Sequence, residues 1–227
     1  IGLWRDKCRF AVWKTNMKKI TSYCRITDTT VILNGNNLQI PLSEGTGPGR
    51  LTGIYRFLQI AYPKFHKMDS LSKAGFLASE MVLRSLGYDT ETPDGSTSLV
   101  FANSTASLEN DKHFQETIKK DNYYPSPAVF VYTLPNIVTG EIAIRNKILG
   151  ETSFFILESF DAEKMQIFVK WAFSHSDIQR VLCGWVEYLD NHCDVLVMMV
   201  EKENDNGLNF NIEYINKFYY IDQKWKH

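Results

Sequence analysis

The sequence predicts an α/β protein in which a layered central mixed sheet is flanked by helices. Short apolar runs typical of buried strands alternate along the chain with segments whose apolar residues recur every three or four positions, as on the buried face of a helix. The chain has 227 residues, of which 44% are hydrophobic, and this is enough for a continuous buried core. We therefore expect one domain over residues 17–227.

The segment at residues 1–16 differs from the rest, because it is rich in Trp and basic residues and ends just before Met17. Two interpretations stay open. The segment is either an upstream extension or an N-terminal strand or arm that packs on the domain.

Residues 30–40 predict a hairpin, because Asn34, Gly35 and Asn36 lie between two short apolar runs and tolerate the positive φ of a tight turn. The glycine-containing stretch at 41–53 shows no periodicity. It therefore predicts an irregular connection.

A helix is expected from Asp69 onwards, since apolar residues recur at helical spacing between Asp69, a good N-cap, and Gly87, a good stop. A strand at 97–102 and a helix at 108–120 follow. The later predicted elements are, in order, a helix from Pro135 to 148 that stops at Gly150, a strand at 153–157 covered on both faces, a helix at 161–174, strands at 180–188 and 194–201, and a strand with a short helix within 210–227.

The charge balance of 25 Lys and Arg against 26 Asp and Glu offers no basic excess to attract nucleic acid or a membrane surface. Cys8, Cys24, Cys183 and Cys193 are widely spaced and lack zinc-ligand partners, so we expect buried free thiols and neither a disulfide framework, a metal nor a cofactor. The apolar runs are too short to span a bilayer. A reducing, cytoplasmic location is expected.

Three segments resemble landmarks of the β-ketoacyl synthases, in that family's order. They are MDSLSKAGFLASEMVLRSLG at 68–87 with the strand at 98–114, LPNIVTGEIAIRNKILGE at 134–151, and VLCGWVEYL at 181–189. The resemblance covers roughly residues 50–200 and is strengthened by the order of the motifs. It implies the N-terminal half of the thiolase-like fold.

In that family a nucleophilic cysteine follows the strand that corresponds to 153–157, at a sharp turn into a helix. Counting without gaps from Gly150 places Ser159 at this position, preceded by Glu158. The family's two histidines lie in a second half that has no counterpart in the sequence, and none of the five histidines present is indicated as a base. Glu158 would also oppose an oxyanion. A helix N-cap is the expected role of Ser159, and an altered nucleophile is the alternative.

A ketosynthase-like chain without the cysteine resembles a chain length factor. The resemblance implies a non-condensing subunit that forms a heterodimer with a full-length, active β-ketoacyl synthase in fatty-acid-like, aryl polyene or polyketide biosynthesis, with an acyl carrier protein as a further partner. Two alternatives stay open: a small acyltransferase or thioesterase-like enzyme that uses Ser159, and a structural homo-oligomer.

The resemblance also implies which residues line a ligand pocket and which form the subunit interface. The implied lining residues are Asn103, Ser104, Thr105, Ala106 and Ser107. The implied interface residues are Asn136, Ser153, Phe154, Phe155, Ile156 and Leu157. Plain structural roles are the alternatives: a helix start at Asn136, close packing at Gly140 and close strand approach at Gly184.

Overall fold

The computed structural model describes residues 18–41, 47–119, 124–175, 177–202 and 204–222. The strands are β1 (Lys19–Thr27), β2 (Val31–Leu33), β3 (Asn36–Asn37), β4 (Thr97–Asn103), β5 (Thr152–Ile156), β6 (Arg180–Leu189), β7 (His192–Glu201) and β8 (Leu208–Asn209). The helices are α1 (Pro48–Phe57), α2 (Ser70–Ser85), α3 (Leu108–Thr117), α4 (Pro127–Phe130), α5 (Ile137–Asn146), α6 (Ala162–Ala172) and α7 (Ile212–Tyr219). The predicted segment at 1–16 lies outside the described residues.

The eight strands form one mixed sheet in the order β3-β2-β1-β7-β6-β4-β5, with β8 paired to β1. Strands β5, β4 and β6 run parallel to one another, whereas β7, β1, β2 and β3 are joined by antiparallel pairings. The predicted layered mixed sheet is therefore confirmed. In the described sheet β5 is a terminal strand, paired on one side only.

Helices cover both faces of the sheet. One core contains buried residues of α1, α2 and α5, and the other contains residues of α6 and α7. Close contact within the sheet depends on Gly184 of β6, because a Cβ there would clash with the carbonyl oxygen of Leu196 on β7. The expected close approach at Gly184 is thus confirmed. At Gly140 no atom lies within 4 Å of where a Cβ would be, so the expected close packing there is wrong.

Several predicted elements are confirmed with small changes of boundary. The Asp69 carboxylate caps α2 by accepting a hydrogen bond from the Ser72 amide at 3.0 Å, and the hairpin of β2 and β3 turns at Asn34 and Gly35, both with positive φ. The helix predicted to run to 148 ends at Asn146. The next residue, Lys147, adopts the left-handed backbone conformation and turns the chain towards β5.

Other expectations need correction. The stretch at 41–53 is not wholly irregular, since α1 begins at Pro48, a residue suited to the first turn of a helix. The central strand β1 was not predicted. Strand β5 packs Phe154 and Phe155 against opposite cores as expected, but it lies at the sheet edge, and Ile156 is 50% exposed.

Three of the cysteines, Cys24, Cys183 and Cys193, are buried free thiols, as predicted, whereas Cys8 lies outside the described residues. Burial raises the pKa of Cys193 to about 12, which keeps this thiol protonated and unreactive. Within the described residues no single helix is long and apolar enough to cross a membrane. One pair bent by 100°, Pro127–Thr133 with Ile137–Asn146, meets the same criterion of length and composition when taken together.

Candidate functional site

The carboxyl ends of the parallel strands β4, β5 and β6 meet at one edge of the sheet, which is where open α/β sheets usually place their functional groups. Asn103 ends β4, Leu157 follows β5, and Glu187 lies near the end of β6. The Leu157 amide donates to the Asn103 carbonyl at 2.8 Å, so the turn after β5 begins beside the loop after β4. Ser159, implied at the nucleophile position, therefore lies in the turn next to the loop at 103–107, whose residues are implied as pocket lining.

The loop at 103–107 is held by its own side chains and by Glu187. The Glu187 carboxylate accepts hydrogen bonds from the Ser104 amide at 2.7 Å, the Ser104 hydroxyl at 2.5 Å, the Thr105 amide at 3.3 Å and the Thr105 hydroxyl. The Asn103 side chain bonds the Ala106 amide and carbonyl, which fixes Ala106 at a φ of 52°. The loop is rigid, and its polar groups are largely satisfied internally.

Ser107 closes this loop by donating its hydroxyl to the Thr133 carbonyl at 2.5 Å. A cavity of about 360 Å³ opens nearby, between the start of α2 and helices α3 and α4. Its polar lining includes both acids and bases, among them Asp69, Lys73 and Glu109. Residues 103–107 do not line this cavity, so their role as pocket lining stays a prediction.

Ser159 lies in the exposed turn between β5 and α6, next to the exposed Glu158. The expected N-cap role of Ser159 is wrong. Asp161 caps α6 instead, because its carboxylate accepts the amides of Glu163 at 2.9 Å and Lys164 at 3.0 Å. Among the described residues no hydrogen bond connects the Ser159 hydroxyl to a base. A serine hydroxyl in this setting needs a base from elsewhere to become a nucleophile.

The described histidines are solvent-exposed, as predicted, and two of them pair with carboxylates elsewhere. His175 lies 3.4 Å from Glu151, and His192 lies 2.9 Å from Asp28. The Asp28 carboxylate raises the pKa of His192 by accepting its hydrogen bond. Within the described part of the chain, no group of three or more His, Cys, Asp or Glu residues is arranged to hold a metal ion.

A charged cluster around the buried Arg25 packs behind the Ser159 turn, and no pattern in the sequence indicated it. Phe160 stacks on Tyr219 of α7 with ring centroids 3.6 Å apart. The Tyr219 hydroxyl donates to Asp194 of β7, and the buried Arg25 guanidinium of β1 pairs with the same carboxylate at 2.5 Å. Burial, followed by the hydrogen bond to Asp194, raises the pKa of Tyr219. Helix α7 thus helps to fix the turn that carries Ser159.

The edge of β5 has an unpaired row of backbone groups within the described sheet. The Leu99 amide donates to the Glu151 carbonyl, and the Leu157 amide donates to the Asn103 carbonyl, so the odd-numbered residues of β5 bond to β4. By alternation, the amides and carbonyls of Thr152, Phe154 and Ile156 face away from β4.

Large apolar side chains surround this edge. Ile144 on α5 is 65% exposed, and Leu149, just before β5, is 71% exposed. Asn136, also implied as an interface residue, is exposed at the start of α5. Its side chain makes no capping bond, although its carbonyl accepts the Gly140 amide. An open strand edge with exposed apolar neighbours is typical of a protein interface.

No family model matches the sequence, and no curated protein matches it significantly. The fold, however, matches solved structures. The ishigamide ketosynthase/chain length factor aligns at a TM-score of 0.61 and 15% identity, over 84% of this chain and 63% of that one. A β-ketoacyl synthase from Burkholderia phymatum STM815 aligns at 0.55 and 14% identity, over 82% of this chain and 59% of that one.

The chain therefore has the fold seen in these ketosynthase and chain length factor structures. It spans about 63% of the length of the ishigamide protein. A chain in the complex of the ketosynthase ApeO with its chain length factor ApeC, from Xenorhabdus doucetiae, aligns at a TM-score of 0.52 and 13% identity, over 89% of this chain and 90% of that one.

Proposed function

We propose that this chain is a non-condensing subunit of the chain-length-factor type, which pairs with an active β-ketoacyl synthase in fatty-acid-like, aryl polyene or polyketide biosynthesis. The observation that carries the proposal is the Ser159 turn: the fold around it is intact, yet it offers no thiol, and no base is bonded to its hydroxyl within the described residues. A condensing enzyme needs an activated nucleophile at this point. The likeness in fold to a chain of the ApeO–ApeC complex, over about nine-tenths of both chains, supports a place in an assembly of that kind.

The interface in this proposal is formed by the free edge of β5, where a strand of the ketosynthase adds to the sheet. The outward-facing groups of Thr152, Phe154 and Ile156 supply the backbone hydrogen bonds. Ile144 and Leu149 lie exposed beside this edge and become buried when the partner binds. Such an arrangement would also remove the aggregation hazard of an open edge.

The role of the subunit is to shape the space for the growing acyl chain. In this proposal the loop at 103–107 faces that space, and Glu187 keeps the loop in one conformation through four hydrogen bonds. The ketosynthase then supplies the thiol, the histidines and the binding surface for an acyl carrier protein.

Co-expression with a full-length ketosynthase from the same pathway tests the pairing. We expect co-purification of the wild-type pair and its loss in Ile156→Lys, which places a charge beside the free edge. Ile212→Lys is the matched control, because Ile212 is 39% exposed on α7 and lies away from β5. The proposal fails if the two wild-type proteins never co-purify and the length of the product does not depend on this subunit.

The alternative of an acyl-transferring enzyme is tested on the same material. The Ser159 hydroxyl is exposed and accessible, so incubation with coenzyme A or carrier-bound thioesters followed by intact mass measurement gives a direct answer. An acyl adduct that disappears in Ser159→Ala would establish the enzyme. Our proposal predicts no adduct.

A further inference from the structure

A groove of about 290 Å³ lies beside β5, between the sheet and the carboxyl-terminal half of α6. Ser98 and Val100 of β4 and Ser153 of β5 form part of its lining. Three large aromatic side chains contribute to the remaining wall, together with Ala172 and the polar residues Glu151, Ser174 and His175. The aromatic side chains are those of Phe155, Phe168 and Trp171.

The aromatic wall is preorganised but incompletely covered. The ring of Phe155 stacks on that of Phe168, with centroids 3.9 Å apart. The rings of Phe168 and Trp171 are tilted relative to each other, with centroids 5.7 Å apart. Trp171 nevertheless remains 61% exposed. Exposed tryptophans beside a groove are common anchors of protein interfaces.

The groove also contains an unsatisfied polar group. The Ser98 hydroxyl is buried and has no hydrogen-bond partner among the described residues. Burying a hydroxyl without a hydrogen-bond partner lowers the stability of a protein, and such groups are rare in native structures. The groove thus has a polar floor at Ser98 as well as aromatic side chains in its wall.

The position of the groove limits what fills it. Ser153 and Phe155 point to the α6 side of the sheet, and a strand added to β5 would project its own side chains to the same side, about 4.5–5.5 Å from their direct neighbours. Opposite Ser153, whose side chain is small, there is room for a large residue. The volume is at the lower limit of small-molecule pockets, roughly 300–1,000 Å³. Geometry and size both favour a side chain of the added strand.

We propose that this groove receives one large aromatic side chain, carried by the partner strand opposite Ser153 and packed against Trp171. The inference rests on the proposed function, since it names the chemistry of the residue that the partner contributes. An aromatic side chain in the groove would let the edge of β5 select one partner strand over others. Backbone hydrogen bonds alone do not depend on the partner's sequence.

Two synthetic strand peptides of alternating Thr and Lys, identical except for a central Phe or Ala, test the inference on the full chain. Dissociation constants are measured from the amide chemical shifts of Thr152, Phe154 and Ile156. We expect the Phe peptide to bind about tenfold more tightly than the Ala peptide. This preference should disappear in Trp171→Ala, a mild change because the residue is mostly exposed. It should persist in the control Ile212→Ala, whose side chain is 39% exposed on α7 and does not line the groove.

Equal binding of the two peptides, no binding by either, or a preference that survives Trp171→Ala would overturn the inference. The co-purification experiment separates this failure from failure of the proposed function. If the ketosynthase co-purifies but the two peptides bind equally, the proposed function stands and the inference about the groove is rejected. If the protein prefers the Phe peptide but forms no complex with a ketosynthase, the groove inference stands and the proposed function fails.

Discussion

Replacing Glu187 by glutamine removes the carboxylate that holds the loop at 103–107. An amide has one accepting oxygen, and its nitrogen cannot accept the hydroxyl bond that the lost oxygen took from Thr105. The three bonds to the other oxygen, two from Ser104 and one from the Thr105 amide, lose their charge assistance. Hydrogen bonds to charged groups contribute about 1.5–3 kcal/mol each, against about 1 kcal/mol for neutral ones. Because Glu187 is half-buried, we take the lower end of this range and expect a loss of about 2 kcal/mol.

Urea unfolding of Glu187→Gln measures this loss. With an m-value of roughly 3 kcal/mol/M for a chain of this size, the midpoint should fall by about 0.7 M. Glu158→Gln is the control, because Glu158 is exposed on the neighbouring turn and makes no hydrogen bond to the described residues. A surface change of this kind should stay within about 0.5 kcal/mol. If both variants unfold at the wild-type midpoint, Glu187 does not hold the loop.

Three further predictions concern the framework of the site. Asp194→Asn leaves the buried Arg25 charge without its closest carboxylate and should cost about 3 kcal/mol in urea unfolding; a cost below about 1 kcal/mol would show that the pair is not structural. Gly184→Ala should destabilise by more than about 3 kcal/mol, whereas Gly53→Ala, where a Cβ meets no atom within 4 Å, should be neutral or stabilising. Burial alone would raise the pKa of Asp94, but five hydrogen bonds outweigh it and hold that pKa well below the usual value. The stabilisation is therefore complete above the unfolded pKa of about 3.9 and decreases as the pH falls below it, so Asp94→Asn should flatten the acid limb of the unfolding midpoint, and an unchanged limb would contradict this.

Local patterns predicted the elements that are stabilised locally. Helix α2 has both a regular apolar stripe and a capping Asp69, and the paired strands β6 and β7 are long apolar runs. Strand β1 was missed because its burial includes Ser22 and Arg25, which interrupt the apolar pattern. Arg25 is buried because distant groups satisfy it: Asp194, 169 residues away, pairs with it at 2.5 Å, and Asp222 lies 3.6 Å from it. No local pattern contains that information.

In the candidate site, too, some features follow from the local sequence and others depend on residues far apart in the chain. The resemblance, with a gap-free count from Gly150, placed Ser159 in the turn after the strand at 153–157, and the structure has Ser159 in the turn after β5. The role of Glu187 depends on Ser104, 83 residues earlier in the chain, and was therefore not apparent from either segment alone. The apolar sequence of β5 predicts a strand covered on both faces but not its place in the strand order, which the whole sheet decides; only the resemblance implied an interface at residues 153–157.

The central position of β1 has a consequence for how the chain folds. Its neighbours β7 and β8 are distant in sequence, and Arg25 can pair with Asp194 only after the chain has been synthesised as far as that residue, 169 residues later. Closing so long a loop is entropically unfavourable, and topologies rich in such distant pairings fold slowly. During that interval β1 can pair with β2, but the edge that later pairs with β7 is open. A partner or chaperone present at that stage would thus affect the yield of folded protein as well as its assembly.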